Sequence, residues 1–194
     1  MAPTGKFLLD QNGQTIGVRA VSDYDATEQG FFAWSCDPAL ASSTLVMPTA
    51  GLVQTSRLKV PASTITNIHF LSTVAGATLT ANQCIAGIYN SAGTLLKSTG
   101  DLATIFTGTG LLTAPLTSVT AVSQGDLIVA FYYNGTTAPT LARLNTTVAV
   151  PNANTNTAVG QSRFATADAG RTTTLAATLG TLTQVAASYW VAVS

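Results

Sequence analysis

The sequence predicts an all-β fold, an antiparallel β-sandwich or jelly-roll with a short N-terminal arm. Gly, Asn, Ser and Pro recur about every eight to twelve residues between short apolar runs, as expected of such folds. Roughly a third of the 194 residues are Ala or Thr, a light composition that favours turns and strands over long helices. No long segment keeps the apolar period of a helix. We therefore expect about eight to ten strands and little helix.

Individual strands are predicted where apolar runs are bounded by turn residues. Pro61 lacks a backbone N–H and indicates a bend between two strands. Residues 90–93 (Asn-Ser-Ala-Gly) indicate a hairpin turn in which Gly93 adopts a left-handed conformation. Asp37 followed by Pro38 predicts a capped helical turn. The predicted strands are residues 52–60, 65–71, 84–89, 94–98, 102–107, 111–116, 127–133 and 188–193.

The predicted strand at residues 127–133 (LIVAFYY) is apolar on both faces. Such a strand is either central in a sheet that is covered on both sides, or has one face against the core and the other against a partner subunit. In the second case Ile128 and Tyr132 are the candidate interface residues. Because the strand carries more apolar surface than one sandwich core needs, we predict a homo-oligomer.

The charge content excludes some classes of partner. Charged residues make up 8% of the chain, against about 25% in an ordinary soluble domain, and the formal net charge is zero. Binding to nucleic acid or to an anionic membrane surface needs clustered Lys and Arg, so neither partner is expected. A net charge near zero also promotes association, which agrees with a protein held in an oligomer or on a larger particle.

The sequence shows no targeting segment and contains two cysteines. The first residues have no apolar stretch long enough for a signal peptide, and no run approaches a membrane span. The two cysteines, Cys36 and Cys84, have the spacing of neither a redox pair nor a zinc site. We expect two buried thiols in a protein made in a bacterial cytoplasm, with a single disulfide as the alternative.

Residues 1–43 differ in composition from the rest of the chain. They hold five of the eight acidic residues and a dense aromatic run at residues 31–34. We interpret this segment as an N-terminal arm or lead-in strand, and residues 44–194 as the β-sandwich domain. For residues 1–30 the alternative is that they are simply the first strand of the sandwich. Residues 145–187, rich in Thr, Ala and Asn, are predicted to form loops and short strands with exposed small side chains.

The sequence offers little for catalysis. His69 is the only histidine, and no G-x-S-x-G nucleophile motif is present. A catalytic triad would have to combine His69 with one of many serines and a distant aspartate. We interpret His69 as a strand residue at the surface or at an interface, on the opposite face from Ile68 and Phe70.

Metal and acid/base chemistry are equally poorly supported. One His and two separated Cys do not make a conventional zinc site. Asp23 and Asp25 resemble a fragment of a calcium loop, but the other ligands are missing, so we interpret them as an acidic turn. Asp101, Asp126 and Asp168 each lie near a glycine, which is turn chemistry rather than the opposed pair of a glycosidase. We expect no cofactor, no metal and no enzymatic activity.

Sugar binding requires an aromatic platform with polar neighbours. Tyr133 beside Asn134, and Trp190 near the end of the chain, are the candidate glycan contacts. Because these aromatic residues lie in or next to apolar strands, packing in the core is the competing interpretation for them.

Four segments of the chain carry a family resemblance. They are residues 31–38 (FFAWSCDP), 64–96 (TITNIHFLSTVAGATLTANQCIAGIYNSAGTLL), 131–143 (FYYNGTTAPTLAR) and 188–194 (SYWVAVS). Together they resemble a module common in the virion proteins of tailed phages of actinobacteria, over roughly residues 30–194. The resemblance implies a β-sandwich displayed on the virion, in proteins described as minor tail protein, tail fibre, head fibre or capsid decoration. It covers strand and turn motifs and carries no catalytic signature.

The resemblance implies a non-enzymatic structural protein on the virion surface. The leading expectation is a capsid decoration or head-fibre protein that binds the major capsid protein and associates with itself as a trimer. The alternative is a tail-associated module that recognises a host surface glycan. Since almost nothing precedes the module, we expect the N-terminal arm to attach it to the particle. The candidate attachment residues are Lys6, Phe7, Leu8, Leu9, Arg19, Asp23, Asp25 and Glu28.

Overall fold

A computed structural model describes residues 25–144, 154 and 158–194, together with the backbone of two short strands before residue 25. It confirms the predicted all-β sandwich, with three single 3-10 turns as its helical content in the described residues. The helical turns are η1 (Pro38–Leu40), η2 (Ile105–Thr107) and η3 (Val159–Gln161). None of the described helices is long and apolar enough to cross a membrane.

The strands are short in the first part of the chain and longest in its middle. Their bounds are β1 (Leu8–Leu9), β2 (Thr15–Ile16), β3 (Ala33–Trp34), β4 (Ser43–Val46), β5 (Gln54–Val60), β6 (Ser63–Val74), β7 (Ala77–Leu79), β8 (Ile85–Asn90), β9 (Leu95–Ser98), β10 (Gly110–Val122), β11 (Gly125–Tyr132), β12 (Gly135–Thr137), β13 (Thr140–Arg143), β14 (Phe164–Thr166), β15 (Thr183–Gln184) and β16 (Val191–Val193).

Two six-stranded antiparallel sheets form the sandwich, more strands than the sequence predicted. Sheet 1 has the order β3-β16-β6-β13-β4, and β10 pairs with the other side of β6. Sheet 2 has the order β15-β14-β5-β11-β8-β9. The pairs β7–β12 and β1–β2 form two further ribbons. The count was underestimated because the two-residue and three-residue strands carry too few residues to show an alternating pattern.

The space between the sheets is filled by apolar side chains from alternate positions of the strands. Phe131 of β11 stands at its centre, with ring centroids 5.0 Å from Phe70 and 5.7 Å from Tyr189, both edge-on. Phe70 also meets Phe106 at 5.5 Å. Edge-to-face rings at these distances add a favourable electrostatic contribution to the burial of apolar area. This inner core joins the two sheets.

The outer face of sheet 2 is covered by the same chain. Ile128 and Tyr132 point away from the inner core, yet both are buried, with Tyr89, under residues 167–182, which we call the covering segment. The strand β11 is therefore central in a sheet that is covered on both sides, which was the first of the two alternatives. Ile128 and Tyr132 are buried by their own chain and are not exposed for contact with a second subunit. Residues 145–187 were predicted to form loops and short strands with exposed small side chains; this prediction did not include the burial of Leu175 in the cover.

Part of the outer face of sheet 1 is covered by side chains of residues 31–36, which we call the entry segment. Phe31 and Cys36 pack with Trp190, whose indole Nε1 donates to the Cys36 carbonyl at 3.0 Å. Ala33, in β3, reaches the inner core. The sandwich therefore includes residues 31–36, which we had assigned to an arm or lead-in strand distinct from it and ending at residue 43. The alternative of a first strand in residues 1–30 falls largely outside the described residues.

Several local predictions from turn chemistry are confirmed. Gly93 has a φ of 81°, in the left-handed region. The Asp37 side chain accepts from the Ala39 N–H at 2.8 Å and begins η1, with Pro38 in its first position. Cys36 and Cys84 are free and buried. Burial raises the pKa of both thiols, which keeps them protonated near neutral pH.

The predicted strand at residues 102–107 is wrong. The Asp101 carboxylate accepts from the backbone N–H of Asn82 at 2.7 Å and of Ala103 at 3.1 Å, which holds the chain in a turn. Leu102 and Phe106 then share one face of a helical turn and are both buried. An apolar pair four residues apart is the pattern of a helical turn, so the local sequence did contain this signal.

Candidate functional site

A solvent-open groove of about 550 Å³ lies where the entry segment passes beside β5. Its walls come from five parts of the chain: Ala26, the entry segment, β5, the start of β11 and the segment before β14. Of the six Lys and Arg among the described residues, three line this groove. The aromatic and charged side chains that line the groove are Phe32, Trp34, Arg57, Lys59, Asp126 and Arg163.

Asp126 is shared by two cations of the neighbouring strand. Its Oδ1 lies 2.6 Å from Nζ of Lys59, the residue directly opposite it in the β5–β11 register, and its Oδ2 lies 3.6 Å from Nη1 of Arg57. The Arg57 side chain is only 8% exposed, whereas that of Lys59 is 84% exposed. Arg57 also donates to the Gly160 carbonyl at 2.9 Å. Arg57 thus has a structural role, and Lys59 reaches into solvent.

Arg163 lies beside Arg57, whose backbone N–H donates to the Arg163 carbonyl at 2.8 Å. Its guanidinium lies over the ring of Phe164, 5.0 Å from the ring centroid, and Nη2 donates to the Ser35 carbonyl. The Arg163 side chain as a whole is exposed. Stacking on an aromatic ring and one backbone acceptor fix the plane of the guanidinium while leaving it accessible.

The aromatic wall comes from the entry segment. The Phe32 ring is 38% exposed, and Trp34 is half-buried. Trp34 packs against Phe31 with ring centroids 6.4 Å apart, and Phe31 in turn meets Trp190 at 5.8 Å. Trp34 is thus supported from behind by a buried aromatic cluster.

The groove combines accessible aromatic rings with positive charge. Its described lining carries three cations and one carboxylate, an excess of two positive charges in a chain that is neutral overall. Low-dielectric walls strengthen such a field, because it is less screened than on an open surface. The arrangement is suited to holding a small anion that also has an apolar face.

A second cluster surrounds His69, on the outer face of sheet 1. Nε2 of His69 lies 2.8 Å from Oγ of Ser194, and Nδ1 lies 3.2 Å from Oγ1 of Thr113. Phe31 stacks edge-on at 5.0 Å, and burial lowers the pKa of the imidazole. The second ring nitrogen meets a hydroxyl instead of the carboxylate that orients a triad histidine. His69 is a strand residue, as predicted, but it is buried within the chain, so the surface alternative of the prediction is wrong.

Of the predicted attachment residues, only Asp25 and Glu28 lie in the part of the chain whose side chains are described, and both are exposed. Oδ1 of Asp25 accepts from the backbone N–H and hydroxyl of Thr27, at 2.8 and 2.6 Å, and from the Glu28 N–H at 3.0 Å. These bonds, that from the Thr27 hydroxyl above all, lower the pKa of Asp25. The remaining candidates lie outside the described residues, except for the backbone of Leu8 and Leu9 in β1: Lys6, Phe7, Leu8, Leu9, Arg19 and Asp23.

The predicted glycan contacts lie in the wrong place for a sugar. Tyr133 and Trp190 are 6% and 2% exposed, in the packing role that was the competing interpretation. The Asn134 amide is occupied by the carbonyls of Gln83 and Arg171, to which it donates at 3.1 and 2.7 Å. Among the described residues no group of three or more His, Cys, Asp or Glu could hold a metal ion.

The residues of the groove were only partly visible in the sequence. Phe32 and Trp34 belonged to the aromatic run that was noted, and Arg57 and Lys59 alternate with apolar residues in a predicted strand, which places them on one face. Nothing local linked Arg163 to them. Among known proteins, no family model, no curated protein and no solved structure matches this chain, so a function for it has to rest on its own sequence and geometry.

Proposed function

We propose that this chain is a non-enzymatic surface protein of a tailed-phage virion, a capsid decoration or head-fibre protein that binds the shell and associates with itself. The resemblance of residues 30–194 to a phage virion module suggests the setting, and the two-sheet sandwich is the fold that the resemblance implies. The observation that carries the proposal is the concentration of charge at one groove on an otherwise light, weakly charged sandwich. A charged groove on such a surface is suited to binding another molecule.

The acids of the sandwich support the non-enzymatic part of the proposal. Asp101 accepts backbone N–H groups, Asp126 is shared by Arg57 and Lys59, and Asp168 lies 3.5 Å from Arg171. Each carboxylate is therefore engaged in holding the fold. A general acid or base has to be free to exchange a proton with a substrate.

Self-association is supported by surface composition. The formal net charge is zero, so copies of the chain repel one another weakly. Val46 and Val74 lie on either side of Thr140 in the sheet, and they are 52% and 56% exposed. These two apolar side chains are therefore open to contact with a second copy of the chain. A trimer is the assembly we expect; light scattering over a range of concentrations tests it, and a monomer throughout would contradict it.

The second candidate is a tail-associated module that recognises a host surface glycan. The groove favours it, since accessible rings beside fixed polar groups are the usual lining of small-ligand sites. The two candidates share a virion location and differ in copy number.

Copy number on purified virions tests the proposal. Quantitative gel staining or mass spectrometry would compare this chain with the major capsid protein of the same particles. A decoration protein should approach the copy number of the capsid protein, whereas a tail adhesin should be far below it. Absence of the chain from purified virions would overturn the proposal as a whole.

A further inference from the structure

We infer that the groove between the entry segment and β5 binds an anionic saccharide, a sugar ring that bears one carboxylate or phosphate group. This deepens the receptor-binding candidate and rests on it for its biological setting. The site is distinct from Tyr133, Asn134 and Trp190, which the sequence had suggested for sugar contact.

The charge of the groove selects an anion. Asp126 lies 2.6 Å from Lys59 and 3.6 Å from Arg57, whose side chain is nearly buried, so it offsets one of the three positive charges. The Lys59 side chain is 84% exposed and keeps two N–H donors besides the one that faces Asp126, and only one of the five N–H donors of Arg163 is used, in the contact with Ser35. Donors of two positive groups that line the groove are thus accessible to one ligand. Arg presents a planar fork that matches either a carboxylate or a phosphate.

The aromatic wall selects a ring with an apolar face. A pyranose presents a patch of C–H groups on one side, and dispersion contacts with an aromatic ring recover part of the cost of removing that patch from water. Phe32 is the more exposed ring and Trp34 the larger one. Trp34 is backed by the buried ring of Phe31, so little of its side-chain freedom is lost when a ligand stacks on it.

The dimensions agree with a short saccharide. Sites for small molecules are usually about 300–1,000 Å³, and this groove of about 550 Å³ is within that range. One or two sugar units would fill it. The positive groups lie together in one confined groove and not along an extended stripe, which is the footprint of a small anion and not that of a nucleic-acid backbone.

The chain contains its own reporter for this site. It has two tryptophans: Trp34 lines the groove, whereas the indole of Trp190 is buried and bound to the Cys36 carbonyl. In nitrogen-15 spectra of the full chain, the two indole N–H resonances can be followed separately, and a Trp34→Phe variant assigns them. Glucuronic acid, glucose 1-phosphate and glucose are the probes, with acetate and inorganic phosphate as anions without a sugar ring.

We expect at least one of the two anionic sugars to shift the Trp34 resonance in a saturable way while that of Trp190 stays in place. The two sugars tell a carboxylate ligand from a phosphate ligand. Glucose should bind at least about tenfold more weakly than the better anionic sugar, the factor that corresponds to one charge-assisted contact. Equal binding of glucose would overturn the anionic part of the inference, and equal shifts by acetate or phosphate would overturn the saccharide part. No shift with any probe, or equal shifts of both indoles, would overturn it entirely.

Matched variants test the walls. Lys59→Gln and Arg163→Gln each remove one accessible cation, and each should weaken binding of the anionic sugar by about tenfold. Lys97→Gln, on β9 outside the groove lining, is the control and should leave binding unchanged. If the control weakens binding as much as the two groove variants, the effect belongs to net charge and the site is wrong. These measurements use free protein, so their failure leaves the virion proposal standing, and absence from virions leaves the site standing.

Discussion

The inner and outer faces of sheet 2 are equally apolar along β11, yet they are covered by different kinds of structure. Leu127, Val129 and Phe131 meet another sheet, whereas Ile128 and Tyr132 meet the covering segment, which consists mainly of irregular chain. Both sets of side chains are buried to a similar extent. Burial alone therefore does not distinguish a face that closes on a sheet from one that closes on a loop.

The difference lies in how each cover responds to a loss of contacts. A strand in the opposite sheet is held by hydrogen bonds to two neighbours and cannot move into a cavity without breaking them. The covering segment is attached through a few backbone bonds, such as those of Leu95 with Ala177 and of Leu179 with Gly93. We therefore expect the inner face to be the less tolerant of the two.

The largest effect is expected from Phe131→Ala. Phe131 is fully buried and in contact with two aromatic rings, and the sheets around it are not free to collapse. The free energy of unfolding should fall by about 3–5 kcal/mol. Denaturant unfolding followed by circular dichroism measures it; a loss below about 2 kcal/mol would show that the inner core relaxes as readily as a loop.

Leu175→Ala should have a smaller effect. Leu175 is nearly buried over the outer face, and its Cδ1 would lie 2.6 Å from a Cβ added at Gly87, so it packs directly on the backbone of β8. Because the covering segment can settle, we expect about 2 kcal/mol, the lower end of the range for Leu→Ala. The same denaturant series measures it. A loss equal to that of Phe131→Ala would remove the distinction between the two covers.

Two tyrosines of the outer face provide a matched pair. The Tyr89 hydroxyl donates to the Ala176 carbonyl of the covering segment at 2.8 Å, whereas the buried Tyr132 hydroxyl has no hydrogen-bond partner among the described residues. Tyr89→Phe should lower the unfolding free energy by about 1 kcal/mol, and Tyr132→Phe should leave it unchanged or raise it slightly. Thermal unfolding of both variants checks this, and the reverse order would contradict the geometry.

The smallest effect concerns His69 and the outer face of sheet 1. Burial lowers the pKa of His69 below its usual 6.5, so the folded chain binds this proton less readily than the unfolded chain does. Its contribution to stability is complete above pH 6.5 and is lost as the pH falls from there toward the lower pKa of the folded state. Melting temperatures between about pH 5.5 and 7.5 should show this slope in the natural chain and a flatter profile in His69→Gln. A slope of opposite sign would indicate a charged, paired imidazole.

Local chemistry made much of the fold predictable from the sequence. The turn at Gly93, the cap at Asp37 and the alternating strands each depend on a few adjacent residues, and all three are present in the structure. The covering segment was not predictable, because Leu175, Leu179 and Leu182 do not alternate as in a strand and their partners lie far away in the chain. The groove could not be predicted from the sequence for the same reason: more than a hundred residues separate Arg57 from Arg163, and no periodicity connects them.

The entry segment has one side that packs in the cover of sheet 1 and one that lines the groove, so the shape of the groove depends on the packing of the fold. Phe31 and Cys36 are locked into the cover of sheet 1, while Phe32 and Trp34 between them face the groove. The groove wall cannot shift unless the cover opens, so a ligand meets a wall whose conformational entropy was already lost on folding. Substitutions behind the wall, such as Phe31→Ala, should therefore change affinity without touching a ligand. Their effects should not simply add to those of groove variants, because the two sets of residues share one backbone.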